Sequence, residues 1–136
     1  MWWIYALLAA FFAALTAIFA KMGVRNINSD LATAIRTVVI LILAWGIAYF
    51  RGETKGMALL SRQNLLFLIL SGIATGLSWI FYFRALQIGE VSQVAPVDKT
   101  SVAMAIVLAA LFLGEPLTWK LVLGTLLITA GALIVI

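Results

Sequence analysis

Apolar residues run along this chain in five stretches, 2–20, 31–50, 65–83, 91–113 and 117–136, with short polar interruptions between them. Each stretch is close to the ~20 residues that an α-helix needs to cross a bilayer. The pattern predicts an all-α membrane protein with five transmembrane helices, forming one domain over residues 1–136. An odd number of crossings puts the two termini on opposite sides of the membrane. Five helices are also few for enclosing a polar pathway alone, so the chain reads as half of a larger assembly.

The interruptions carry the chemistry of helix ends. Asn28-Ser29-Asp30 offers capping side chains before the second span, with Asp30 suited to the positive end of the helix dipole. Residues 51–64 form the longest polar loop and include Gly52 and Gly56. Gly114-Glu115-Pro116 predicts a tight reversal, with glycine ending one helix and proline opening the next. The first span has no basic residue ahead of its apolar run and continues for a full crossing. It reads as a retained helix with Trp2, Trp3 and Tyr5 at the interface, not as a secretory signal.

Composition narrows the class. Hydrophobic residues make up 65% of the chain and charged residues 10%, which excludes a soluble globular domain. There is no cysteine and no histidine, so thiolate chemistry and the commonest metal ligand are absent, and no metal or other cofactor is expected. The net charge of +4 does not point to nucleic acid. Its basic residues sit at span ends or singly within spans, as solvated headgroup anchors do.

The same residues report weakly on orientation. Arg51, Lys55, Arg62 and Lys120 fall on the side of the N-terminus, against Lys21, Arg25 and Arg84 on the other. A four-to-three split is too small to fix one orientation. It is compatible with N-terminus-inside insertion and with insertion both ways, in which two copies pair antiparallel. Such a pair has ten helices related by an axis in the membrane plane, the inverted-repeat plan of many transporters.

The last fifty residues carry a family pattern. Ala85-Leu86-Gln87-Ile88-Gly89-Glu90-Val91-Ser92-Gln93-Val94-Ala95-Pro96 leads into an apolar helix, followed by Leu113-Gly114-Glu115-Pro116-Leu117-Thr118 and then Gly124 and Gly131. This resembles the EamA domain of the drug/metabolite transporter superfamily, and the resemblance extends over the whole chain. It implies one half-transporter unit, where most family members carry two in one polypeptide, and hence completion by an antiparallel second copy. It further implies a secondary carrier of small metabolites or drugs, usually an exporter, in a prokaryotic inner membrane. The motifs mark turns and close packing and say little about substrate. The stretch Val97-Asp98-Lys99 is not part of the general family pattern, so the resemblance assigns it no role.

Three charges lie more than four residues inside the apolar stretches: Arg36, Asp98 and Lys99. Each costs about 2.5–3.5 kcal/mol at the centre of a spanning helix on insertion scales. At 1.5 Å per residue they lie about 8–12 Å in from the same side. An Arg36–Asp98 pair is therefore geometrically possible and would leave Lys99 to face a cavity or a ligand. The alternative is that the fourth helix begins at Pro96. Asp98 and Lys99 then become first-turn residues at the headgroups, while Arg36 snorkels. Pro96 removes a backbone donor and obstructs the Ser92 carbonyl. Ser92, Pro96 and Lys99 share one helical face, either a ligand-facing kink or a packing kink.

On the third span Ser71, Thr75, Ser78 and Tyr82 form a polar stripe beside Gly72 and Gly76, with Trp79 one turn on. The stripe reads either as helix–helix contact or as a cavity wall with Trp79 and Tyr82 offering aromatic surface. Alanines 6, 10, 13, 17 and 20 on the first span, and the two glycines of the fifth, read as close packing. The spans contain no nucleophile–base pair, metal cluster or phosphate loop, which disfavours catalysis. The leading reading is a homodimeric transporter working by alternating access on a small, anionic or zwitterionic substrate, with lipid as its other partner. Candidate contacts are Lys99, Asp98, Arg36, Ser92, Pro96, Trp79, Tyr82, Ser78 and Thr75. A dual-orientation ion channel and an accessory subunit of another membrane protein are the other classes. Proton-coupled drug export in the manner of small multidrug resistance proteins needs an acid in the first helix, which has none.

Overall fold

The computed structural model describes residues 1–136, and every regular element in it is helical. The α-helices are α1 (Trp2–Gly23), α2 (Ser29–Phe50), α3 (Arg62–Ile88), α4 (Val91–Asp98), α5 (Ser101–Leu108) and α6 (Trp119–Ile134). Four helical stretches are long and apolar enough to cross a membrane: α1, α2, α3 and the run Val91–Leu113. The remaining apolar helix, α6, has 16 residues, or about 24 Å at 1.5 Å per residue against a hydrocarbon core of about 30 Å.

Local chemistry explains where these helices start and stop. Asn28 caps α2: its Oδ1 accepts from the Asp30 amide at 2.7 Å. Gly52 (φ +70°) ends the path out of α2 and leads into a 3₁₀ segment at Glu53–Leu59. Gly114 (φ +68°) closes the fourth helical run, its amide reaching the Ala109 carbonyl. Only glycine adopts these left-handed conformations without strain. Pro116 does not open the last helix, contrary to the sequence expectation. That helix begins at Trp119, because the Thr118 hydroxyl accepts from the Leu121 amide at 3.3 Å and takes the capping role.

The fourth run is not one uniform helix. The amides of Lys99, Thr100, Val102 and Ala103 bond three residues back, to Pro96, Val97, Lys99 and Thr100, each at 3.0 Å. Pro96 lacks an amide donor and crowds the Ser92 carbonyl, and the Thr100 hydroxyl takes the Val97 carbonyl at 2.8 Å. Together they tighten the chain into 3₁₀ geometry between α4 and α5. A π-helical segment, Ala109–Leu113, then ends the run.

The chain divides into two compact units. One comprises Met1–Phe19 and Ile88–Ile136, and within it α6 runs against α4 and α5. The other is Ala20–Gln87. Its buried side chains gather at one end of its helices: Ala20 in the last turn of α1 and Val24 just after it, Ser29 and Thr33 on α2, Phe83 and Leu86 on α3. Polar ties hold that end. The Lys21 ammonium donates to the Leu86 carbonyl at 2.8 Å, and the Gln87 amide donates to the carbonyls of Ile27 at 2.8 Å and Val24 at 3.3 Å. Lys21 thus caps the carbonyl end of α3 and is not merely a solvated anchor. Away from this end the apolar side chains of α2 and α3 are exposed, as lipid-facing surfaces are.

Candidate functional site

Ser29, Thr33 and Arg36 recur at i, i+4 and i+7 along α2 and so share a face. Trp79, Phe83 and Leu86 do the same on α3. The two faces meet at Arg36, whose guanidinium carbon lies 4.1 Å from the centre of the Trp79 ring and 5.1 Å from that of Phe83. Both distances are within cation–π range, where partial desolvation strengthens the contact. Tyr82 is within electrostatic reach of the same guanidinium.

Stacking satisfies the face of the guanidinium but not its edge. Arg36 Nη1 is buried and has no hydrogen-bond partner, and Arg36 belongs to no ion pair. Ser29 Oγ, two turns away on the same face, is the other buried side-chain polar atom without a partner. The hydroxyls between and beyond them are committed to their own helix. Thr33 donates to the Ser29 carbonyl at 2.9 Å, and Thr37 donates to the Thr33 carbonyl at 2.8 Å. An unmet buried donor costs about 1–3 kcal/mol, and more when charged. This seam is therefore where an acceptor from outside the chain gains most.

Ser71, Thr75, Ser78 and Tyr82 follow a neighbouring stripe on α3. Thr75 spends its hydroxyl on the Ser71 carbonyl at 2.9 Å, and both Thr75 and Ser78 are exposed. In the other unit, Asp98 pairs with the adjacent Lys99 at 3.1 Å. Lys99, which the Arg36–Asp98 reading would leave to a ligand, is thus paired with its neighbour. Lysine has a flexible four-carbon stem, and where the helix tightens after Asp98 its ammonium reaches the neighbouring carboxylate. The pair is half-exposed, with side-chain exposures of 56% for Lys99 and 35% for Asp98. Ser92 is exposed and Pro96 half-buried on α4.

The structure therefore brings Arg36, Trp79 and Tyr82 together. It adds Phe83, Ser29 and Thr33, which the sequence reading passed over although their spacing was visible. A cleft of about 350 Å³ lined by Lys21, Met22, Val24, Arg25, Leu86 and Gln87 lies elsewhere, at the α1–α2 connection. Its lysine is committed to the Leu86 carbonyl, and the carboxyl ends of α1 and α3 make it unfavourable for an anion.

The EamA-like transporter family matches residues 1–136. A protein of Sinorhizobium sp named "Uncharacterized transporter in cobO 3'region" is 51% identical over 133 residues, covering 98% of this chain and 94% of its own. No solved structure matches the chain.

Proposed function

The chain belongs to the EamA-like transporter family, and from that premise we propose that it is a secondary exporter of small anionic or zwitterionic metabolites, working by alternating access as an antiparallel homodimer. Membership makes it an integral membrane transporter and points away from enzymatic chemistry. The finer reading treats residues 1–136 as one domain with α6 as a fifth span, seated in a prokaryotic inner membrane. A single unit of this size then needs a second copy to enclose a pathway, and the four-to-three basic split leaves both orientations open to insertion.

The observation that carries the substrate reading is the half-buried Arg36, an intramembrane cation with an edge donor and no acid of its own. Trp79 and Tyr82 supply aromatic surface beside it, and Thr75 and Ser78 continue that helix toward the middle of the span. In the other unit, Ser92, Pro96, Asp98 and Lys99 form a kinked polar helix start that is a separate candidate contact.

Dual orientation is tested by Lys55→Cys, since position 55 is exposed in the second loop. An impermeant maleimide is expected to label this cysteine partly from each side of intact cells. Labelling from one side only refutes the antiparallel dimer. For the substrate, purified protein is screened against metabolites by thermal stabilisation, where anionic and zwitterionic compounds should dominate the hits.

A further inference from the structure

Resting on that transport reading, we infer that the group recognised at Arg36 is a single carboxylate on an otherwise uncharged molecule, gripped in the plane of the guanidinium while Trp79 and Phe83 hold its face. Three observations converge on it. First, Trp79 and Phe83 lie at 4.1 and 5.1 Å from the guanidinium carbon, so the broad face is occupied and the free donors lie on the edge. A planar fork of donors matches two carboxylate oxygens side by side.

Second, the charge count is one. Arg36 carries a single positive charge and belongs to no ion pair. A monocarboxylate brings the site to neutrality. A phosphate monoester, at about −1.5 to −2 near pH 7, overshoots it. An amino acid adds an ammonium, while Arg36 already occupies the Trp79 ring on which that ammonium would stack. Third, no protein oxygen accepts from Nη1, so that arm of the fork has not been spent on the fold itself.

Trp79 is thus a positioning residue, and it provides its own reporter. The chain has five tryptophans, so Trp2, Trp3, Trp45 and Trp119 are replaced by phenylalanine to isolate its fluorescence. The variant is reconstituted as the full-length protein and titrated with four probes on one carbon skeleton: butyrate, butyl phosphate, 2-aminobutyrate and butylammonium. Butyrate is expected to shift Trp79 emission at a concentration about tenfold or more below the other three. Arg36→Lys keeps the charge but loses the fork and is expected to weaken butyrate about tenfold. Arg36→Gln should remove the distinction among probes. Thermal stability of each variant shows that it remains folded.

Equal responses to butyrate and butyl phosphate, or a preference for the phosphate or the zwitterion, overturn the carboxylate assignment. So does an Arg36→Lys variant that binds butyrate as tightly as the parent, or a Trp79 signal that no probe moves. The transport reading is judged separately, by whether cells expressing the protein export a solute. A failure here with export intact refutes the carboxylate site alone.

Discussion

Lys21→Met tests whether the packed end of the Ala20–Gln87 unit depends on a charge or merely carries one. The Lys21 ammonium donates to the Leu86 carbonyl at 2.8 Å, across 65 positions of sequence. A bond from a charged donor contributes about 1.5–3 kcal/mol net. Leu86 is completely buried, so its carbonyl is poorly solvated once the donor is lost, at a cost of about 1–3 kcal/mol. These are two routes to one loss and do not add. Methionine keeps the length and most of the apolar stem, so the packing change is small. The expected destabilisation is about 2 kcal/mol, or about 30-fold in the folding equilibrium at 1.36 kcal/mol per decade. Reversible unfolding in mixed micelles, titrated with an anionic detergent at neutral pH, measures it. Lys21→Arg keeps a charged donor and should lose less than half as much. Arg25→Met, on an exposed neighbour, is the reference for charge removal alone. A Lys21→Met loss below about 0.5 kcal/mol, or one equal to that of Arg25→Met, refutes the capping argument.

Two other outcomes follow from the fourth helical run. Pro96→Ala restores an amide donor for the Ser92 carbonyl; it should insert normally and gain stability, by at most the ~3 kcal/mol that separates proline from alanine in a helix interior, while transport into proteoliposomes falls. Unchanged transport, or a loss of folding alone, makes the kink a packing feature. Because the Asp98–Lys99 pair is half-exposed, Asp98→Asn and Lys99→Met should each cost less than about 1 kcal/mol, and the double variant no more than the larger single. Micelle unfolding of the three variants decides it, and a loss above about 2 kcal/mol for Asp98→Asn alone would show that Asp98 balances another cation.

Hydrophobic periodicity and length determined most of the fold, because in lipid every backbone polar group must be satisfied within its own segment and an apolar run of about 20 residues has little alternative to a helix. Short-range chemistry was legible for the same reason. Asn28 caps α2 through an amide two residues away, and Gly114 closes the fourth run through its own backbone conformation. Pro96 announced a break, though its form, a 3₁₀ turn at Lys99 and Thr100, also needed the Thr100 hydroxyl to claim the Val97 carbonyl.

The start of α6 escaped for a comparable reason. Pro116 and Thr118 are both plausible openers, and only the observed bond to the Leu121 amide separates them. What no local rule could supply was the partner of each charge. Residue counting made Arg36–Asp98 and Lys99 alone a reasonable distribution, since all three charges come at a similar number of residues into their apolar stretches. Height says nothing about azimuth. The rotation of α2 and α3 about their axes sets Arg36 on Trp79 and Phe83, and the fold of the chain brings Lys21 to a carbonyl 65 residues away. Those orientations depend on how helices pack side by side, a long-range property that a one-dimensional pattern of apolar positions does not encode.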